Sequence, residues 1–155
     1  MLKVLFVCHG NICRSPMAES VCAYEIAKRG IKNVAVDSAA AHTDEIGNPP
    51  HRGTRDKLRR ENIPLVEHRA RLLTARDIDL YDYFIGMDEY NVRDMKRILG
   101  SSKKHICMLL DFTSSPRAIA DPWYTGNFDQ TFQDVTEGVD ALLNFLEAEG
   151  LAKRG

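Results

Sequence analysis

Residues 3–18, KVLFVCHGNICRSPMA, constrain this chain more than any other stretch. The apolar run at residues 4–7 reads as a strand and ends at Cys8. Arg14-Ser15-Pro16 then opens a helical pattern, because Pro suits a first helical position and Ser an N-cap. Between them lies a tight polar loop, a Cys, five residues and an Arg, followed by Ser. A strand that feeds a helix through such a loop aims successive backbone N–H groups at one point, which is how proteins cradle a phosphate-like dianion. The helix N-terminus adds partial positive charge, which favours a thiolate over a thiol. A nucleophilic sulfur at the floor of an anion cradle points to phosphoryl transfer through cysteine. Alone, C-x5-R occurs by chance, and most cysteines are small buried hydrophobes. The strand before it and the helix start after it give the pattern its meaning.

The rest of the chain alternates strands and helices. Met17, Val21 and Tyr24 continue the first helix, which Lys28, Arg29 and Gly30 end with a basic last turn and a glycine stop. Val34-Ala35-Val36 is a short strand leading to Asp37 and Ser38, and residues 39–50 read as a loop with a turn. Residues 51–61 form a basic helix anchored by Leu58. Its Arg52, Arg55, Lys57, Arg59 and Arg60 read as a solvated face, since no aromatic residues interleave with them as in a nucleic-acid surface. Residues 63–71 are extended or irregular, Thr74 caps a short helix over 75–79, and residues 81–87 read as a strand. Asp88 caps a helix carrying Val92, Met95, Ile98 and Leu99, closed by Gly100. Residues 105–110 form another strand and residues 113–127 a long loop. The last helix sets Phe128, Phe132, Val135, Val139, Leu142, Leu143 and Leu146 on one face and ends at Gly150. This order implies an α/β fold in three layers, a mainly parallel sheet with helices on both faces, in one domain over residues 1–155. Ligands in such sheets bind beyond the carboxyl ends of strands, where Cys8 lies.

Composition narrows the classes. With 155 residues and a net charge of −1, the chain has no global bias toward nucleic acid or a membrane. MLKVLFVCHG is too short in apolar residues for a secretory signal, and no run approaches the ~18 apolar residues of a membrane span. The four cysteines, Cys8, Cys13, Cys22 and Cys107, are unevenly spaced in a chain with ample core, which argues against a disulfide framework. Cys8 and Cys13 lack C-x-x-C spacing and a His/Cys partner set, so zinc is not expected. The expectation is a reduced, cytoplasmic protein without bound zinc that binds neither nucleic acid nor membrane.

A thiolate takes a phosphoryl group only if the developing charge is stabilised and the leaving oxygen receives a proton. Arg14 suits the first task, since guanidinium grips phosphate bidentately and keeps its charge. With the loop N–H groups it would stabilise a largely dissociative transition state. For the second task the best candidate is Asp121, in A-D-P-W-Y. Pro122 holds Asp121 extended, and the long loop can carry it over the Cys8 pocket. Trp123 and Tyr124 would wall a slot for an aromatic ring. Asp44, Asp88 and Asp111 are rivals, none followed by an aromatic pair. Ser15 is read as the helix cap, with a hydrogen bond to the sulfur as a further role.

Taken together, these motifs resemble the low-molecular-weight protein tyrosine phosphatases of bacterial type. The likeness covers Cys8-His9-Gly10-Asn11-Ile12-Cys13-Arg14-Ser15-Pro16 with Met17-Ala18-Glu19, Asp37-Ser38-Ala39 and His68-Arg69-Ala70-Arg71. It continues at Met87-Asp88 and Asp121-Pro122-Trp123-Tyr124, so it spans nearly the whole chain in order. The resemblance implies a four-stranded parallel sheet with the phosphate-binding loop after the first strand. It also implies a metal-free, two-step hydrolysis of phosphotyrosine in protein substrates and of small aryl phosphates. Cys8 would form a phosphocysteine; Asp121 would protonate the leaving phenol and then deprotonate the attacking water. Asn11 resembles the family's loop-bracing Asn, in a network with Ser15, Ser38 and His68. Cys13 resembles a second loop cysteine able to form a reversible disulfide with Cys8. A monomer, or at most a weak dimer, is expected.

The departures and rivals are specific. Residues 40–45 read AAHTDE, with an acidic residue about where several members carry Trp, and Trp123 stands where some relatives have the first of two tyrosines. His9, beside the nucleophile, is a candidate tuner of recognition. Protein arginine phosphatases on this scaffold carry Thr where this chain has Ile12, which has no hydroxyl to offer a phosphoguanidine. Arsenate reductases need a relay of further cysteines, and residues 68–100 contain none. A phosphoprotein-binding module would have lost the nucleophile, the Arg or the acid, and all three are present.

Overall fold

The computed structural model describes residues 1–100 and 105–155. The chain runs β1 (Leu2–Cys8), α1 (Arg14–Arg29), β2 (Val34–Ala40), α2 (Arg52–Arg60), β3 (Tyr83–Gly86) and α3 (Glu89–Leu99). It continues through β4 (His105–Met108), α4 (Pro122–Thr125) and α5 (Phe128–Ala148), with 3-10 turns at Ala75–Asp79 and Leu109–Phe112. The four strands pair in parallel in the order β2-β1-β3-β4. An α/β sheet with helices on both faces is therefore what the alternation produces.

Side-chain alternation along β1 explains the layers. Val4, Phe6 and Cys8 point into a core made with Met17 and Val21 of α1, Leu58 of α2, and Val135, Val139, Leu142 and Leu146 of α5. Leu5 and Val7 point the other way, onto Leu73, Phe84 and the α3 residues Met95 and Leu99. Both faces of β1 are dry, which is why residues 4–7 carry no polar side chain. From β1 the chain crosses to β2 on one side, and from β3 to β4 on the other. The crevice at this switch lies beyond the carboxyl ends of β1 and β3, and the loops after those two strands converge there.

Several boundaries differ from the sequence reading. β2 continues through Ser38, Ala39 and Ala40, which pair in register with Phe6, Val7 and Cys8. Pairing with β1 overrides the weak strand preference of these small residues. α1 begins at Arg14, and its N-cap position, Cys13, makes no side-chain capping bond. Ser15 is thus inside the helix and is not its cap. β3 is four residues long, shorter than the 81–87 run, and β4 stops at Met108. There the Met108 N–H donates to Asp111 Oδ2 at 2.9 Å and the chain tightens into a 3-10 turn. The long loop 113–127 contains α4, a single turn with Pro122 at its first position and Asp121 as its cap. Among the described residues, no helix is long and apolar enough to cross a membrane.

α5 lies so close to the Leu109 turn that Gly138 has no room for a side chain. A Cβ there would sit 2.5 Å from Leu109 Cγ, and Leu109 is fully buried. Gly138→Ala removes a helix penalty of about 1 kcal/mol but forces the turn to move, at about 1–3 kcal/mol. The expected result is a net loss of stability in denaturant melts; a stabilised variant would show that the contact relaxes freely.

Candidate active site

The loop between β1 and α1 is anchored by its carbonyls. Those of Cys8, His9 and Ile12 accept from the N–H groups of Ala41, His42 and His51 at 2.9, 3.0 and 2.7 Å. Carbonyls bonded outside the loop in this way suit a loop whose N–H groups serve an anion. Asn11 adopts a left-handed conformation, φ 61°, that few residues other than Gly and Asn accept.

Asn11 also holds the loop from below. Its Nδ2 donates to Ser15 Oγ and Ser38 Oγ, both at 2.9 Å. Its Oδ1 accepts from His68 Nε2 at 2.6 Å and from the Arg71 N–H at 3.2 Å. Ser38 passes its own hydroxyl hydrogen to Glu19 Oε1 at 2.6 Å. Because Asn11 donates to the Ser15 oxygen, the Ser15 hydroxyl hydrogen is free to point at Cys8 Sγ, 3.0 Å away. The Ser15 N–H is 3.4 Å from the same sulfur. Cys8 thus ends β1 buried, with two donors aimed at its sulfur.

Arg14 is the second chemical element. It is 2% exposed, and its Nη1 donates to Asp88 Oδ2 at 2.7 Å and to the Ile119 carbonyl at 2.9 Å. Its Nη2 lies 3.4 Å from Asp121 Oδ2. Burial works against the guanidinium charge, but Cys8, Asp88 and Asp121 around it more than offset that and hold it cationic. Arg14 Nε is the single buried side-chain nitrogen or oxygen without a partner among the described residues. Asp121 is fixed by its own helix turn, since its Oδ1 accepts from the Trp123 N–H at 3.0 Å.

Above the loop is an open cleft lined by Cys8, His9, Gly10, Ile12, Cys13, Asp44, Glu45, Asp121, Trp123 and Tyr124. Trp123 and Tyr124 stand exposed at its edge. The structure therefore brings together Cys8, Arg14, Asp121, the loop residues and the aromatic pair, with Ser38 and His68 beneath the loop rather than in the cleft. Cys13 is buried, and burial first, then the negative neighbours Cys8 and Asp121, push its thiol up to about 12. Cys22 and Cys107 are also pushed up to about 12, mainly by burial, and stay protonated thiols.

Three groups were not singled out as site residues from sequence. Asp88, read from sequence as a helix cap and a rival acid, also orients Arg14. Glu19 was noted only within a motif, yet it supports Ser38 from α1. Asp44, in sequence a rival acid, and Glu45, in the departing 40–45 stretch, both line the cleft. Ligating atoms of Glu19, Asp37 and His68 lie within 4.8 Å of one another, a grouping able to hold a cation. Two of the three already serve the loop brace, Glu19 through Ser38 and His68 through Asn11.

Comparison with known proteins agrees with this geometry. Residues 3–153 match the family model described as low molecular weight phosphotyrosine protein phosphatase. The chain is 42% identical over 153 residues to the low molecular weight protein-tyrosine-phosphatase YfkJ of Bacillus subtilis, covering 96% of this chain and 98% of that protein. The crystal structure of YfkJ superposes with a TM-score of 0.91 at 40% identity, covering 96% of each chain. PtpA of Staphylococcus haemolyticus, also named a low molecular weight protein-tyrosine-phosphatase, is 37% identical over the full length of both chains. A Drosophila arginine phosphatase shares the fold more distantly, with a TM-score of 0.86 at 27% identity over 94% of this chain and 98% of its own.

The buried Glu19 yields a pH prediction. Burial, reinforced by Asp37, pushes its carboxyl up to about 7, although the Ser38 hydrogen bond opposes this. The folded protein then holds a proton that the unfolded chain has already lost between about pH 4.5 and pH 7, so Glu19 lowers stability as pH rises through that window. Glu19→Gln carries no such cost. Its stability relative to the wild type should climb from pH 4.5 to pH 7, by about 3 kcal/mol, and level off above. A pH-independent difference in paired denaturant melts would refute this.

Proposed function

The chain belongs to the low molecular weight phosphotyrosine protein phosphatase family, and on that footing we propose that it hydrolyses phosphotyrosine in proteins through a phosphocysteine at Cys8. Small aryl phosphates are substrates of the same chemistry. The observation that carries this reading is the state of Arg14. One edge of its guanidinium is tied to Asp88 and the Ile119 carbonyl, while its buried Nε has no partner. A buried cationic donor left open beside a nucleophilic sulfur matches the needs of a phosphoryl group.

In the first step Cys8 sulfur attacks phosphorus as the bond to the tyrosine oxygen breaks. Asp121, protonated at this stage, gives its proton to the departing phenolate. The loop N–H groups and Arg14 stabilise the charge spread over the equatorial oxygens. In the second step Asp121, now a carboxylate, takes a proton from water as that water attacks phosphorus. The sulfur leaves as a thiolate, stabilised by the Ser15 hydroxyl and N–H, and inorganic phosphate is released. Trp123 and Tyr124 flank the phenyl ring, and Asn11, Ser38 and His68 keep the loop in shape. Neither metal nor cofactor enters these steps.

Phosphotyrosine is favoured over phosphoarginine because Ile12 packs against Ala70 and Phe128 and has no side-chain hydroxyl to accept from the N–H groups of a phosphoguanidine. The protein acts in this reading as one domain and as a monomer in the cytoplasm, on phosphoprotein substrates rather than on nucleic acid or membrane.

Cys8→Ser should lower turnover by at least about a thousandfold while retaining binding of phosphate or vanadate. Residual turnover near the wild-type rate would remove Cys8 as the nucleophile. Asp121→Asn should slow alkyl-like leaving groups by about 10²–10⁴, and p-nitrophenyl phosphate much less, because the latter needs little protonation. Equal slowing of both would take the acid role from Asp121. Matched peptides should show higher kcat/KM for phosphotyrosine than for phosphoarginine, and the reverse order would transfer the chain to the arginine phosphatases.

A further inference from the structure

The cleft carries an unusual charge for a site that takes a dianion. Asp44 and Glu45 line it alongside Cys8 and Asp121. The Asp44 side chain is 62% exposed, and the Glu45 chain lies across Gly10, so close that a Cβ on Gly10 would be 3.3 Å from Glu45 Cγ. Several carboxylates elsewhere on the surface are matched by basic side chains. Asp129 pairs with Lys57 and Arg60, Glu147 with Arg29 and Arg154, and Glu137 with Arg117. Among the described residues, no Lys or Arg pairs with Asp44 or Glu45. Their partners are His9 Nε2, at 2.7 Å from Asp44, and the Asn48 amide, which donates to Glu45 Oε2 at 2.6 Å.

These carboxylates are held in place. His9 stacks on His42 with ring centroids 4.2 Å apart, and His42 Nε2 lies 2.8 Å from Asp94 on α3. Backbone bonds fix both ends of the segment: the Ala41 N–H to the Cys8 carbonyl, the Gly47 N–H to Ala70, and the Ala70 N–H to Asn48. A rigid acidic edge repels a phosphate-bearing ligand unless that ligand brings its own positive charge. In the reaction proposed above, Arg14 and the loop N–H groups answer the charge of the phosphoryl group itself. Asp44 and Glu45 are left for the residues next to the phosphotyrosine to match.

Building on the phosphotyrosine phosphatase reading, we propose that Asp44 and Glu45 form an acidic lip that selects phosphotyrosines flanked by lysine or arginine and rejects those flanked by acidic residues. The aromatic pair Trp123 and Tyr124 supplies contact to the phenyl ring, and the lip supplies the sign. Attraction and repulsion both act, so the discrimination is a difference between two peptides rather than an affinity for one.

The test compares two phosphotyrosine peptides that differ only in carrying Lys or Glu on both sides of the phosphotyrosine, with p-nitrophenyl phosphate as a substrate without flanks. The wild type should favour the Lys peptide about tenfold in kcat/KM at low salt, with the ratio shrinking as ionic strength rises. In Asp44→Asn/Glu45→Gln the ratio should fall to within about twofold of unity, and in Asp44→Lys/Glu45→Lys it should invert. The ratio is taken within each variant, so a change in overall rate does not disturb it. A wild-type ratio near unity at low salt, or a preference that survives both double variants, would overturn the lip while leaving the phosphatase intact. No turnover of either peptide or of p-nitrophenyl phosphate would overturn the phosphatase reading, and the lip with it.

Discussion

The Asn11 carboxamide is the interaction on which the rest of this site depends. An amide offers two donors and two acceptor positions, and all four are used, on Ser15, Ser38, His68 and the Arg71 N–H. These partners come from α1, β2 and the segment after α2, so one buried side chain ties the loop to three separate parts of the chain. The left-handed backbone at φ 61° is what turns the Asn11 side chain downward into that network. A buried polar network helps only when each member is satisfied, and this one is. Its far end reaches Glu19, and its near end reaches the Cys8 sulfur through Ser15.

The two acids around Arg14 are placed by one structural device used twice. Asp88 caps α3, accepting from the Asn91 N–H at 2.9 Å through Oδ1, which leaves Oδ2 for Arg14. Asp121 caps α4, accepting from the Trp123 N–H through Oδ1, which leaves Oδ2 facing Arg14. Capping fixes the orientation of each carboxylate locally, before any long-range contact is made. The difference is in distance. Asp88 sits 2.7 Å from Arg14 and acts as its anchor, while Asp121 at 3.4 Å is held more loosely and borders the open cleft. Two residues of one type thus take different parts through where their helices begin.

What could be read from the sequence was whatever depends on neighbours along the chain. The strand, loop and helix of residues 3–18 mark Cys8 and Arg14 as candidates. The Asp-Pro-Trp-Tyr run marks a candidate acid with an aromatic pair, and those three side chains line one cleft with Cys8. Asp88 was correctly read as a helix cap, because capping is local, but its grip on Arg14 crosses 74 positions and left no local trace. Ser15 misled for the opposite reason. A Ser before a Pro is a good cap in isolation, but the loop delivers the chain already helical at Arg14 and claims the hydroxyl for Asn11 and Cys8. The extension of β2 over Ser38, Ala39 and Ala40 was hidden because small residues advertise no strand, and only pairing with β1 makes them one. Ser38 and His68 came through resemblance, since nothing around either residue marks it as a partner of Asn11.

The buried polar atoms sharpen the location of the chemistry. Glu19, Ser38, Asn11, Ser15 and Cys8 form a continuous line of polar contacts beside an otherwise apolar core, and each link is made. Such a line is costly to leave incomplete, because an unmet buried donor loses its water without gaining a partner, at about 1–3 kcal/mol. Among the described buried side chains this demand goes unmet only at Arg14 Nε, on a residue whose other guanidinium nitrogens reach Asp88 and Asp121. An unpaired N–H of a cationic guanidinium, next to Asp121 at the edge of the cleft, suits an oxygen of an incoming anion, as the proposed phosphoryl transfer from Cys8 requires.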